Sequence, residues 1–248
     1  MKNKRLTLPD IIRGYSLLAM IIYHTLWDLA FIAQCSIPWF FSTGAYIWQQ
    51  SICWTFILIS GFCTGLGHHR LKRGIVILIC SLMISVITIL VIPDEAVKYG
   101  VLCLIASGML LTVPLDSFFK KIPPSAGLTV CFCTFLITRN IPDGFLGFEQ
   151  FNIAGMPSFL YQNNLTAYLG FPGADFRSSD YFPVIPWIFL YFSGYFLFLF
   201  FKKNDLLKYM SPFNIRFLQW MGRHSLIIYL IHQPVIYGAV HIYLAVSR

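Results

Sequence analysis

Near the start of this chain, an apolar run long enough to cross a bilayer, Asp10 to Phe31, carries four ionisable residues: Asp10, Arg13, His24 and Asp28. At ~100° per residue these positions fall within a stripe of about 60° around a helix. An ionisable side chain at the centre of a membrane helix costs ~2.5–3.5 kcal/mol even on the most lenient insertion scale. A helix with four on one face must turn that face towards protein. The stripe is therefore read as a site inside a helix bundle.

The rest of the chain has the same apolar character. Of its 248 residues, 57% are hydrophobic and 11% charged, against ~25% charged in a soluble domain. This predicts an all-α, polytopic transmembrane helix bundle forming one domain over residues 1–248. About seven spans are expected, at 10–33, 45–66, 74–92, 98–114, 123–139, 183–201 and 224–246, with an interfacial or extra helix near 206–223. The first span is expected to be retained, because Asp10, Arg13 and His24 break the apolar core that a signal peptide needs. The seven cysteines lie mostly in apolar segments and read as small buried residues without a disulfide framework. Adjacent His68 and His69 lack the i, i+4 spacing of a helical metal site, so no metal is expected.

The formal charge of +8 comes from short basic clusters between apolar runs, which argues for membrane topology and against nucleic acid. One side holds Lys2, Lys4, Arg5, Arg13, Arg70, Lys72, Arg73, Lys120, Lys121, Lys202, Lys203, Lys208, Arg216 and Arg223; the other holds only Lys98, Arg139, Arg177 and Arg248. This imbalance predicts a multi-pass cell-membrane protein with a cytoplasmic N-terminus; a crossing by 206–223 would reverse the C-terminus. Residues 140–182 then form an extracytoplasmic connection that is partly ordered, re-entrant or a lid. Its many aromatic rings suit either the membrane interface or the wall of a pocket for a sugar.

Ten residues, about 16 Å of helix, separate Arg13 from His24. Arg13 thus lies near the cytoplasmic surface and His24 near the midplane, so an anionic cofactor gripped by Arg13 could present its reactive end to His24. Alternatively Arg13 pairs with Asp10 one turn away. His24 and Asp28 are i, i+4 neighbours, and a carboxylate at one imidazole nitrogen raises the basicity of the other, as a general base requires. Arg70, Lys72 and Arg73 serve either as a topological stop signal or as a phosphate cradle. In the last span, Gly222-Arg223-His224-Ser225 precedes His232-Gln233-Pro234, with His232 at a depth similar to that of His24 and Pro234 expected to free a carbonyl. His232 and Gln233 are either a structural pair or a substrate contact.

Together, Asp10, Arg13-Gly14, His24, Asp28, Ile59-Ser60-Gly61-Phe62, Ser179-Asp180-Tyr181-Phe182-Pro183, Pro186-Trp187 and Gly222-Arg223-His224-Ser225-Leu226 through Tyr229, His232, Gln233 and Pro234 carry a family likeness. The chain resembles the transmembrane acyltransferase superfamily, as a small relative of the catalytic domain of heparan-alpha-glucosaminide N-acetyltransferase and, more distantly, of membrane glycan O-acyltransferases. The resemblance implies acetyl transfer from cytoplasmic acetyl-CoA to a hydroxyl or amine of an extracytoplasmic sugar acceptor. His24 matches the histidine of the Arg-to-His motif in the O-acyltransferase branch. No histidine lies between Thr25 and Gly67, the stretch in which the heparan enzyme keeps its own.

On this reading His24 is the general base and Asp28 orients it. Arg13, Arg70, Lys72, Arg73, Arg223, His224 and Ser225 hold acetyl-CoA, and Asp180, Tyr181, Trp187, His232 and Gln233 meet the acceptor. The bilayer is the surrounding partner, and the reading leaves room for a homodimer. The rival is a proton-coupled transporter of a small anion, which uses the stripe but not the basic cluster; a non-catalytic scaffold explains neither.

Overall fold

The computed structural model describes residues 6–246. Lys2, Lys4, Arg5 and Arg248, which enter the charge-sidedness argument, lie outside them. The described helices are α1 (Leu8–Phe31), α2 (Thr43–Leu66), α3 (Arg70–Val91), α4 (Val101–Phe119), α5 (Pro124–Ile137), α6 (Val184–Lys203), α7 (Arg216–Arg223) and α8 (Ser225–Val246). Each expected span coincides with one of them. Four, α3, α4, α6 and α8, are long and apolar enough to cross a membrane. The stripe in α1 dilutes its hydropathy, and α5, with 14 residues, reaches only ~21 Å of a hydrocarbon core of ~30 Å. Within 206–223 lie a short 3-10 turn and the eight-residue α7, which at ~12 Å is too short to cross.

The chain divides into two compact units, residues 1–59 with 205–248, and residues 60–204. In the first, α1 packs on α7 and α8. Thr7 ties the start of α1 down, its N–H donating to the Met210 carbonyl at 3.1 Å and its hydroxyl to the Ser211 carbonyl at 3.1 Å. Helices α1 and α7 meet backbone to backbone at two glycines. A Cβ on Gly14 would lie 2.0 Å from the Leu218 oxygen, and one on Gly222 would lie 1.9 Å from the Asp10 oxygen. Side chains are excluded there, which is what small residues at a helix contact permit.

The second unit packs α3 on α4, α4 on α6 and α5 on α6. Tyr191, Tyr195, Phe196, Phe135 and Leu190 are fully buried at its centre. The Tyr191 hydroxyl shares a hydrogen bond with the Thr64 hydroxyl at 2.5 Å, so this interior polar pair is satisfied. Helix α3 leaves Leu71, Ile75, Ile79, Leu82, Met83, Val86 and Leu90 exposed. A bare apolar face of that length is stable only against lipid or another apolar surface.

The connection at 140–182 is ordered in part, and it adds a small two-stranded sheet to an otherwise helical fold. Strands β1 (Phe145–Phe148) and β2 (Phe151–Gly155) form an antiparallel hairpin, followed by two 3-10 turns. The hairpin turn carries no Asn-Gly or Asp-Gly pair; Glu149 takes the left-handed conformation, φ 52°. Asn140 holds it from outside, donating to the Glu149 carbonyl at 2.7 Å and accepting the Glu149 N–H at 2.9 Å.

Candidate active site

Within the first unit, α1 supplies Asp10, Arg13, His24 and Asp28, and the α7–α8 junction with α8 supplies Arg223, His224, Ser225, His232 and Gln233. Two links join segments more than two hundred residues apart. The Arg13 Nη2 donates to the Ser225 hydroxyl at 2.6 Å. The Arg223 Nε reaches the buried Asp10 carboxylate at 3.5 Å, and its Nη2 reaches the Gln219 side-chain oxygen at 3.4 Å. The Nε of Arg13 is buried without a hydrogen-bond partner, so this guanidinium retains a donor for an anionic group. His224 is exposed and sits beside the Trp220 carbonyl at 2.9 Å.

Deeper along the same two helices, the rings of His24 and His232 lie 5.1 Å apart, centroid to centroid. Because Arg13 meets Ser225 and His24 meets His232, α1 and α8 run in the same direction. The His232 Nδ1 lies 2.6 Å from the Tyr229 carbonyl. A carbonyl only accepts, so Nδ1 carries the hydrogen, and neutral His232 presents an unprotonated Nε2. That Nε2 is buried without a hydrogen-bond partner. Asp28 is fully buried, and its carboxylate accepts from the Gln233 amide at 3.1 and 3.3 Å. Aromatic rings close the neighbourhood: Tyr23 stands edge-on to His24 with centroids 6.0 Å apart and packs on Phe40 and Trp48.

This arrangement can move a proton. It joins an acceptor lone pair, a second imidazole within reach of a small intervening group, and a buried carboxylate fixed by an amide. Helical periodicity puts Asp28 on the same face of α1 as His24 but gives no sign of Gln233, the partner of its carboxylate, because nothing in one helix's spacing reports what lies across from it.

The remaining expected site residues lie in the second unit. Arg70 donates to Asp116 at 2.5 Å, and Asp116 also accepts from Lys120 and from the Tyr195 hydroxyl, so the Arg70 charge is matched within the protein. Lys72 and Arg73 are exposed. The Asp180 carboxylate accepts the Val101 N–H at 3.1 Å, capping the first turn of α4 from a distant segment. Tyr181 donates its hydroxyl to the Ala167 carbonyl at 2.6 Å, and burial pushes its phenol above the ordinary range. Trp187 is buried beneath the Arg139 guanidinium, 4.7 Å from the ring centroid. The Asp116 network and the Arg139–Trp187 contact escaped sequence reading; the placement of Arg139 at the end of α5, ahead of an aromatic-rich segment, was the available hint. No cluster of three or more metal-ligating side chains occurs among the described residues.

The family model for the heparan-alpha-glucosaminide N-acetyltransferase catalytic domain matches residues 5–234. The chain belongs to that family, and its apolar helices accord with a membrane-embedded transferase. Comparison with curated proteins and with solved structures gave no significant match.

Proposed function

We propose that this member of the heparan-alpha-glucosaminide N-acetyltransferase catalytic family moves an acetyl group from cytoplasmic acetyl-CoA to a hydroxyl or amine of an extracytoplasmic acceptor, a glycan or amino sugar, across a cell membrane. The observation that carries this reading is the facing pair His24 and His232, set beside buried Asp28 on the helix whose other end holds Arg13.

The residues fit acetyl-CoA as donor. Arg13, with a buried Nε free of hydrogen-bond partners, would hold a phosphate, helped by Arg223, His224 and Ser225. Arg70, Lys72 and Arg73, the other basic group of the sequence reading, belong to the second unit, where Arg70 is paired with Asp116 and Lys72 and Arg73 are exposed, so their proposed part is limited to attracting anions by charge. The thioester supplies an activated acetyl carbonyl. His24 takes the proton of the acceptor O–H or N–H as the new C–O or C–N bond forms. The C–S bond then breaks, and the sulfur leaves as thiolate or takes up that proton. His232 shares the proton's charge through the facing ring, and Asp28 with Gln233 fixes the neighbouring helix face. Asp180, Tyr181 and Trp187 shape the acceptor side by holding the 140–182 connection in place.

The test is turnover of radiolabelled acetyl-CoA by purified protein with a panel of amino sugars and glycans. His24→Ala should lower kcat by ~10²–10⁴-fold, the span of a lost general base, while acetyl-CoA binding persists. Arg13→Gln should weaken that binding. Normal turnover by His24→Ala refutes the assignment of the base. Uptake of a small anion driven by pH in proteoliposomes lacking acetyl-CoA would support the transporter instead.

A further inference from the structure

The turn between α4 and α5 brings Lys120 and Lys121 to the end of α6, where Lys202 and Lys203 stand. Segments about eighty residues apart in sequence thereby place four ammonium groups around one open depression of about 570 Å³, a volume within the ~300–1,000 Å³ of ligand sites. Lys120 pairs with Asp116. Among the described residues, Lys121, Lys202 and Lys203 have no acidic partner, and all three are exposed. The remaining lining is apolar: Ile122, Pro123, Pro124 and Leu199.

Two simpler roles explain these lysines singly. Basic residues flank membrane helices as orientation signals, and a cation at a helix C-terminus, such as Lys202 or Lys203, complements the helix dipole. Both roles act charge by charge, and neither requires separate segments to gather their charges around one apolar-walled hollow. Convergence of like charges raises the local positive potential, which only an anion relieves. The location selects the kind of anion. Helices α4 and α6 are both candidate membrane spans, and the depression lies where both end, so it sits at headgroup level with apolar walls on its bilayer side. Lysine, a compact hydrated cation, suits an exposed phosphate approached from water.

We propose that this four-lysine depression binds the phosphate headgroup of an anionic phospholipid. The inference does not depend on the transfer reaction, because none of these residues belongs to the proposed active site.

The test uses the full chain, reconstituted in phosphatidylcholine vesicles with spin-labelled phosphatidylglycerol or spin-labelled phosphatidylcholine as probe. The wild-type protein should immobilise the phosphatidylglycerol probe in preference. The triple variant Lys121→Gln, Lys202→Gln, Lys203→Gln should lower that preference by about tenfold, and the matching triple arginine variant should retain it. The arginine variant and an unchanged melting temperature separate loss of the site from loss of the fold. Equal preference in the wild type and the glutamine variant overturns the proposal. So does displacement of the lipid probe by inorganic phosphate at concentrations comparable to the lipid's, which would assign the site to a soluble anion.

Discussion

Replacing Gly14 by alanine tests whether α1 and α7 are held at backbone contact. The new methyl would meet the Leu218 carbonyl oxygen at 2.0 Å, whereas ordinary contact begins near 3.4 Å. A Cα–Cβ bond is ~1.5 Å, so the Gly14 Cα lies within about 3.5 Å of that oxygen, the range of Cα–H···O contacts. Alanine therefore forces α7 back by about 1.4 Å. Overpacking of this kind costs ~1–3 kcal/mol. The same retreat stretches the Arg13 to Ser225 bond, now 2.6 Å, at a further cost of ~1 kcal/mol. A loss of ~2–4 kcal/mol corresponds to a fall of ~4–16 °C in Tm for a chain this size. Gly222→Ala, with its methyl 1.9 Å from the Asp10 oxygen, should behave alike. Gly238→Ala in α8 is the control, because nothing lies within 4 Å of its added methyl; better helix propensity should leave its stability equal or ~1 kcal/mol higher. The assay is thermal unfolding of purified protein followed by tryptophan fluorescence. A Gly14→Ala protein melting within ~1 °C of wild type, the range of an inert surface change, would falsify the backbone contact.

Two further outcomes follow from the second unit. Asp116→Asn leaves Arg70 and the Tyr195 hydroxyl without their carboxylate and should cost ~1–3 kcal/mol, whereas Lys120→Ala at the exposed end of the same network should cost less than ~1 kcal/mol; thermal melts of both variants check the ratio, and equal losses would refute the role given to Arg70. The Tyr181 phenol is raised by burial, so its contribution to stability is complete below the unfolded phenol's pKa of ~10 and declines as pH rises above it. Tyr181→Phe should be less stable than wild type at neutral pH yet lose stability less steeply in alkali, as urea unfolding at a series of pH values would report.

Much of the helical architecture is legible because apolar run length and Pro and Gly punctuation act locally. Helix α5 opens on Pro124 after Pro123, and α3 begins just past Gly67 and a left-handed His69. The hairpin is illegible for the opposite reason: its turn is imposed by Asn140 from outside the strands, and its own turn residues, Glu149 and Gln150, carry no hairpin chemistry. Asp180, Tyr181 and Trp187 stand out in sequence as polar and aromatic residues among Pro and Gly. In the structure, each has a partner within the protein that fixes the connection.

The stripe on α1 shows where periodicity stops informing. Its angular width depends only on positions 10, 13, 24 and 28, so a buried polar face could be read from the sequence. What that face meets depends on chain direction, which the two long-range contacts supply. Arg13 reaching Ser225 and His24 facing His232 require α1 and α8 to run parallel. If both cross the bilayer, the chain between them must cross an odd number of times. Of the helices between them, α3, α4 and α6 are long and apolar enough to cross, and the eight-residue α7 is not, since ~12 Å falls far short of ~30 Å. Keeping α7 out of the bilayer also leaves it free to lie across the start of α1, where Gly14 and Gly222 admit it. The Arg223 to Asp10 contact and the turn into Ser225 then follow from one packing event, which sets the side chain opposite Arg13.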